Sequence, residues 1–157
     1  MADWKLSQKD RLFTLQGPFP AEGVVVRALE ARESISNLYE YDFTLIADMP
    51  DLEPEDIAGQ AATIGLKLAD GSSQRSFSGY VSTFCQVEPE ERFYLYEGTL
   101  VPWLWFLTLD SDCRIYQDKT VVEVAKDVFD RFGFRDYDDS GIRLDHCPWE
   151  YCTQYRE

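Results

Sequence analysis

The chain has one histidine, His146, and four cysteines, Cys85, Cys113, Cys147 and Cys152. A serine or cysteine nucleophile needs a base within hydrogen-bond reach, most often an imidazole. One histidine beside Cys147 offers a single base to several thiols, which is not a catalytic constellation. Structural zinc asks for Cys and His in closely spaced pairs. These residues form no Cys-x-x-Cys and match no ribbon or finger spacing, so no metal is expected. The thiols are expected to be reduced and mostly buried, as in a protein made in the cytoplasm.

Carboxylate chemistry has more material and less pattern. Glycoside hydrolysis needs two carboxyl groups facing each other across a cleft, and twenty-nine acidic residues make no particular pair stand out. Asp139-Ser140-Gly141 has the form of the aspartic-protease triplet, in which two carboxyls share a proton between apolar strands. Here it follows Arg135-Asp136-Tyr137-Asp138, a solvated acidic segment, and reads as a turn using Gly141 for a positive φ. No Gly-rich run leads to Lys and Ser/Thr, and no dinucleotide fingerprint occurs. No cofactor and no enzymatic activity are expected.

Fifteen basic against twenty-nine acidic residues give a net charge of −14. Such a surface repels nucleic acid and anionic membranes and favours basic protein partners. The start, Met1-Ala2-Asp3-Trp4-Lys5-Leu6, lacks the basic and apolar regions of a signal peptide. No apolar run approaches the roughly 20 residues that span a bilayer.

The elements that must position these residues alternate with period 2. Val24, Val26 and Ala28 share one face of a strand, with Val25, Arg27 and Leu29 on the other. Tyr39, Tyr41, Phe43, Leu45 and Ala47 form a second apolar face. Ile64, Leu66 and Leu68 form a third, and Phe77, Val81, Cys85 and Val87 a fourth, continued by Phe93 and Leu95. Turns are expected at Gln16-Gly17-Pro18, at Asp70 to Ser73 as a hairpin, and at Glu88-Pro89-Glu90. The acidic stretch Asp48 to Asp56 reads as a loop, with one helical turn at Glu55–Ala58. Several short antiparallel strands imply a small β-barrel or a sandwich.

One helix interrupts them, over about 120–132. Thr120 and Glu123 make a capping box, and Val121, Ala125, Val128 and Phe132 share a face with Val124 and Phe129 alongside. Asp127 and Arg131 form an i,i+4 pair. Gly133 fits the left-handed C′ position, so that Phe134 packs on Phe129. The helix is amphipathic and is expected to lie on the barrel. The chain stops within a strand-like pattern, Trp149–Glu157, as a fragment of something longer would.

Between strands and helix lies a dense aromatic run, Trp103-Leu104-Trp105-Phe106, after Pro102. As a strand it points both tryptophans to one face. As a helical turn begun by Pro102 it points them about 200° apart, which leaves one free to face a partner; burial in the chain's own core is the expectation for both. Tryptophan and tyrosine concentrate at interface cores, and Trp4, Trp103, Trp105 and Trp149 are the large anchors.

Val101 to Gln117 resembles the segment that marks the N-terminal region of VgrG proteins, the tip proteins of type VI secretion. It carries the Pro-Trp-Leu-Trp run, Leu-Thr, then Asp-Cys-Arg-Ile, with Tyr116 where the family usually has Phe. The helix from Thr120 to Phe132 continues the likeness. Glu150-Tyr151-Cys152-Thr153-Gln154-Tyr155-Arg156-Glu157 is similar to the family's Arg-Glu-Tyr-x-x-Gln-Tyr-x-Glu block. Upstream, Glu33-Ser34-Ile35-Ser36-Asn37-Leu38-Tyr39-Glu40-Tyr41 and Phe77-Ser78-Gly79-Tyr80-Val81 are similar to an early strand and a hairpin arm of the family.

The resemblance implies a mainly β fold, an antiparallel β-barrel of the phage baseplate hub type with one amphipathic helix. Residues 1–148 would be the first hub barrel and 149–157 the start of a second. The implied function is a structural tip component that assembles as a trimer, docks on the hexameric Hcp tube and meets other baseplate components. It would be made in the bacterial cytoplasm and exported with the tip, without membrane insertion of its own. Its implied interface and structural residues are Trp103, Trp105, Phe106, Arg114, Tyr151 and Tyr155. A stand-alone β-barrel that binds a ligand or sugar in an aromatic cleft is the alternative, and an aspartic-type hydrolase the third reading.

Overall fold

The computed structural model describes residues 6–50, 52–87 and 92–155. Trp4, the Glu88-Pro89-Glu90 turn and the final Arg156-Glu157 lie outside the described residues. The chain divides into two compact units, 1–102 and 103–157.

The first unit holds β1 (Phe13–Gln16), β2 (Val24–Arg32), β3 (Glu40–Ala47), α1 (Pro54–Ile57), β4 (Ala61–Lys67), β5 (Gln74–Gln86) and β6 (Tyr94–Val101). The strands form one antiparallel sheet in the order β1-β4-β5-β6-β3-β2. Alternation drives it: Tyr41, Phe43, Leu45 and Ala47 of β3 are buried while Asp42, Thr44 and Ile46 between them are not. Both edge strands feed one core, through Leu15 of β1 and Val24 and Val26 of β2. The sheet therefore coils around its apolar face. Burial of a side chain such as Leu45, fully enclosed, contributes about 2 kcal/mol.

A closed barrel was the expectation, and the sheet is open: among the described residues no ladder joins β1 to β2. A short segment before β1 occupies the seam. The Gly23 amide donates to the Leu6 carbonyl at 2.9 Å, and Ser7 bridges Glu22. The Leu6 amide donates to Asp48 at 3.2 Å, and the outward amide of Leu15 donates to the Gln8 side chain at 2.7 Å.

Two β-bulges correct the expected faces. In β2 the ladder slips between Val26 and Ala28, so Arg27 is the extra residue. Beyond it Leu29 packs on the core and Ala28 faces out. In β5 the slip lies between Val81 and Thr83, so the inward residue is Phe84 and Cys85 is exposed. One inserted residue inverts every later side chain. In β6 the buried positions Tyr96, Gly98 and Leu100, joined at the strand's end by Val101, have the opposite parity to the expected Phe93 and Leu95. Gly98 lies opposite Phe43, and a Cβ there would come within 2.5 Å of the Phe43 ring.

The hairpin at Asp70 forms as expected. Its carboxylate accepts the amides of Ser72 at 3.1 Å and Ser73 at 2.9 Å, and Gly71 takes φ +71°. The expected single turn appears as α1, with Pro54 in its first turn and Ile57 buried.

The second unit holds a 3-10 helix (Trp103–Leu109), β7 (Cys113–Tyr116), α2 (Val121–Arg131) and β8 (Cys152–Tyr155), which pairs antiparallel with β7. The expected boundary at 148/149 thus falls inside this unit, between α2 and β8. The capping box of α2 is present, with the Glu123 amide donating to Thr120 Oγ1 at 3.2 Å and the Thr120 amide to Glu123 at 2.8 Å. The Thr120 amide, then the Thr120 hydroxyl, donate to the Glu123 carboxylate and hold it below its ordinary value. Gly133 takes φ +76°, and the Phe134 amide donates to the Phe129 carbonyl at 3.1 Å, which ends the helix. No described helix is long and apolar enough to cross a membrane.

Candidate functional site

Pro102 ends β6, and the Trp-Leu-Trp run leaves the sheet as a 3-10 helix rather than a strand. With three residues per turn, side chains at i and i+3 eclipse. Trp103 and Phe106 therefore stand together, and Trp105 points elsewhere. Trp103 stacks on Phe134 at 4.9 Å and meets Phe129 of α2 edge-on at 5.0 Å. Its indole N–H donates to the Asp136 carbonyl at 3.0 Å. Phe106 stacks on the same Phe134 at 6.1 Å. Trp105 touches Phe106 edge-on at 5.5 Å. The expected packing of Phe134 on Phe129 is thus realised through Trp103, which both rings contact. None of the residues in the 3-10 helix is fully buried. Trp103 has its N–H and its ring engaged within the unit, which leaves it unsuited to stacking on a sugar.

A second cluster, missed from the sequence, ties the start of β7 to the end of α2. Asp112 accepts from Arg114 Nε at 2.6 Å, from the Cys113 amide at 2.8 Å and from the Arg131 guanidinium. Chiefly through the Arg114 bond, its carboxyl is lowered from 3.8 to about 2. Arg131 therefore pairs across the fold and not with Asp127, which is held by Lys119 instead. The Asp-x-Arg spacing of 112 and 114 was the available signal. Arg114 is thus a clamp residue of β7.

Near the C-terminal end of the described chain the aromatics are open. Trp149 bridges to Lys119 through a 2.9 Å backbone bond, and its side chain is exposed, as are those of Tyr151 and Tyr155. Tyr155 sits in register with Cys113.

The residues with catalytic form are not brought together. Asp139 pairs with Lys126, which lowers its carboxyl, so its described partner is a cation and not a second carboxyl. Ser140 donates its amide to Asp138 at 2.8 Å, and Gly141 is not among the glycines with positive φ. The turn is real but does not need that glycine. The cysteines are free, three of them exposed and Cys152 half-buried, not mostly buried as expected. Among the described residues no cluster of His, Cys, Asp and Glu is arranged to hold a metal.

In the first unit the two upstream motifs meet. Glu33 accepts from Tyr41 Oη at 2.6 Å and from Arg75 at 2.7 Å. Tyr39 Oη donates to the Ser78 carbonyl at 2.9 Å, and Tyr41 packs edge-on against Phe77 at 5.3 Å. The bond to Tyr41, then that to Arg75, lowers the Glu33 carboxyl, while burial foremost pushes the Tyr41 phenol up. Gly79 of the second motif is required because a Cβ would lie 2.7 Å from the Val101 carbonyl oxygen.

The family model for the phage tail baseplate hub (GPD) matches residues 32–157. The chain belongs to that family. The match takes in the Glu33 and Phe77 motifs, the aromatic helix, the Asp112 clamp and α2. Among the hub relatives, the type VI secretion system spike protein VgrG1b of Pseudomonas aeruginosa is 40% identical over 152 residues, 97% of this chain and 20% of that protein. VgrG1a of the same organism is 38% identical over 96% of the chain and 23% of its own length. The chain thus spans about a fifth of the curated relatives it matches. In fold, it is similar to the E. coli c3393 protein, described as a type VI secretion component resembling the T4 tail proteins gp27 and gp5. That likeness has a TM-score of 0.75 and 21% identity, covering 92% of this chain and 39% of that one.

Proposed function

We propose that the chain is the hub portion of a type VI secretion spike, a non-catalytic part that joins protomers into a trimer and seats the spike on the hexameric Hcp tube. The observation that carries this is the hub match across 32–157, together with close relatives named as spike proteins. On this reading residues 1–148 belong to a first hub domain and 149–157 open a second. The protein is made in the cytoplasm and leaves with the tip.

The six interface residues then have separate tasks. Trp103 and Phe106 fix the second unit from within, and Arg114 clamps Asp112. The exposed Tyr151 and Tyr155 and the half-buried Trp105 are the side chains that meet neighbouring subunits. Aromatic side chains are typical interface anchors.

The test is co-sedimentation of the purified chain with assembled Hcp rings, with chemical cross-linking of the chain alone. Binding to the ring or a cross-linked trimer is expected, and Tyr151→Ala with Tyr155→Ala should weaken the trimer. A chain that neither binds the ring nor self-associates would sink the reading.

A further inference from the structure

The connection between β2 and β3 carries the most exposed large apolar side chain of the first unit. Ile35 is 95% exposed, and Leu38 beside it is also open. Single exposed aliphatic residues are ordinary on protein surfaces. This pair is different because the loop that presents it is braced at both ends. Glu33 is held by Tyr41 and Arg75 at one end, and Tyr39 by the Ser78 carbonyl at the other. Between them the Asn37 side chain donates to the Ile35 carbonyl at 3.3 Å, and Ser36 sits at φ +63°, a left-handed conformation that serine rarely adopts. Non-glycine residues in that region cost free energy and collect where a surface is preorganised for use. A fixed loop also loses little entropy on binding.

Charge selects the partner. Glu30, Glu40 and Asp42 share the single guanidinium of Arg32, and Glu33 has that of Arg75. One rung in from the loop, the outward side of the sheet forms a hollow of about 570 Å³ lined by Glu30, Asp42, Thr44, Glu97 and Thr99, with no basic residue in its lining. A second copy of a chain carrying −14 would bring like charge to this surface, which is unfavourable. A different protein with basic residues around an apolar socket fits it.

We propose that the β2–β3 loop is a docking knob: Ile35 and Leu38 enter an apolar socket on the tube-ring subunit, and Lys or Arg at its rim meet Glu30, Glu40 and Asp42. This rests on the reading that the hub seats on that ring, and it names the part of the hub that makes the contact. Ring subunits are the probe, and binding is measured by interferometry with the whole chain at low and high salt. Ile35→Asp is expected to weaken binding about tenfold or more, as for an interface anchor, and Ile35→Ser by less. Ser36→Gly, which leaves the apolar tip in place but frees the backbone, is expected to weaken it about two- to threefold through lost preorganisation. Binding should fall as salt rises. The variants should melt as the parent does, since Ile35 supports no core.

Ring binding unchanged by Ile35→Asp overturns the proposal. So does binding indifferent to salt, or an Ile35→Asp chain that loses self-association but keeps the ring, since the loop would then face another copy. A parent chain that does not bind the ring at all defeats the seating reading itself.

Discussion

The two units solve the burial problem differently. In the first, strands from both sheet edges send side chains into one core, and every fully buried apolar residue of the described chain except Tyr116 lies there. In the second, a 3-10 helix, one α-helix and a two-stranded ribbon surround aromatic rings that remain half open. A unit of this size encloses too little surface to form a deep core. It relies on ring-to-ring contacts, a capping box and the Asp112 clamp. The first unit carries its own core, whereas the second leaves Ile115, Leu144, Trp149, Tyr151 and Tyr155 exposed.

This contrast can be broken by unfolding the units separately. Three of the four tryptophans, Trp103, Trp105 and Trp149, lie in the second unit, so in a Trp4→Phe background tryptophan fluorescence follows that unit while far-UV circular dichroism follows mainly the sheet. Leu45→Ala removes a fully enclosed side chain and should cost about 2–5 kcal/mol, moving the dichroism transition. Trp103→Ala should move the fluorescence transition, by less because the site is half open. If both signals shift together in both variants, the units unfold as one and the contrast fails.

Gly98→Ala sharpens the picture within the sheet. A methyl group there meets the Phe43 ring at 2.5 Å, and overpacking of this kind costs about 1–3 kcal/mol. The dichroism midpoint in urea should fall with the slope unchanged, and an unaltered midpoint would show that Phe43 has room to move. The smallest effect is expected from acid. The Asp112 carboxyl is lowered from 3.8 to about 2, so its contribution is present above the ordinary value and is lost as pH falls towards 2. Fluorescence-detected stability should decline over that window more steeply in the parent than in Asp112→Asn. Parallel declines would mean that the clamp is not formed in solution.

Much of the first unit was legible because period-2 alternation on β3 and β4 is a direct image of burial. In β2 and β5 the errors came at the bulges. Arg27 and Ser82 look like any strand residue, yet each reverses the faces that follow. The trace they left was an odd spacing: Val24 and Val26 are followed by Leu29, and Phe77 and Val81 by Phe84. Unbroken alternation cannot put such residues on one face, so an odd step between strong apolar residues is the mark of an inserted one. The aromatic run is open to two readings in sequence, a strand or a helical turn begun by Pro102, and the helical one is realised. Trp103 and Trp105 suit a strand, whereas Trp103 and Phe106, three apart, carry the pattern of a 3-10 turn. The capping box at Thr120 was local and could be read directly. The Asp112–Arg131 pairing depends on residues far apart in the chain, and a rule for neighbours on one helix assigned Arg131 to Asp127.

The seam between β1 and β2 has a consequence for how the first unit bears tension. Elsewhere around the sheet, neighbouring strands are held by ladders that share a shearing load over many hydrogen bonds at once. Among the described residues the short Leu6–Gln8 segment intervenes at the seam, through the Leu6 carbonyl, the Ser7 bridge and the Gln8 side chain. These few bonds can be broken one after another, as a zipper is. A pull on the chain's N-terminal side would therefore peel this segment away first, leaving the other ladders in register, and releasing it would let the segment settle back. The fold thus has a built-in line of yielding that spares its core.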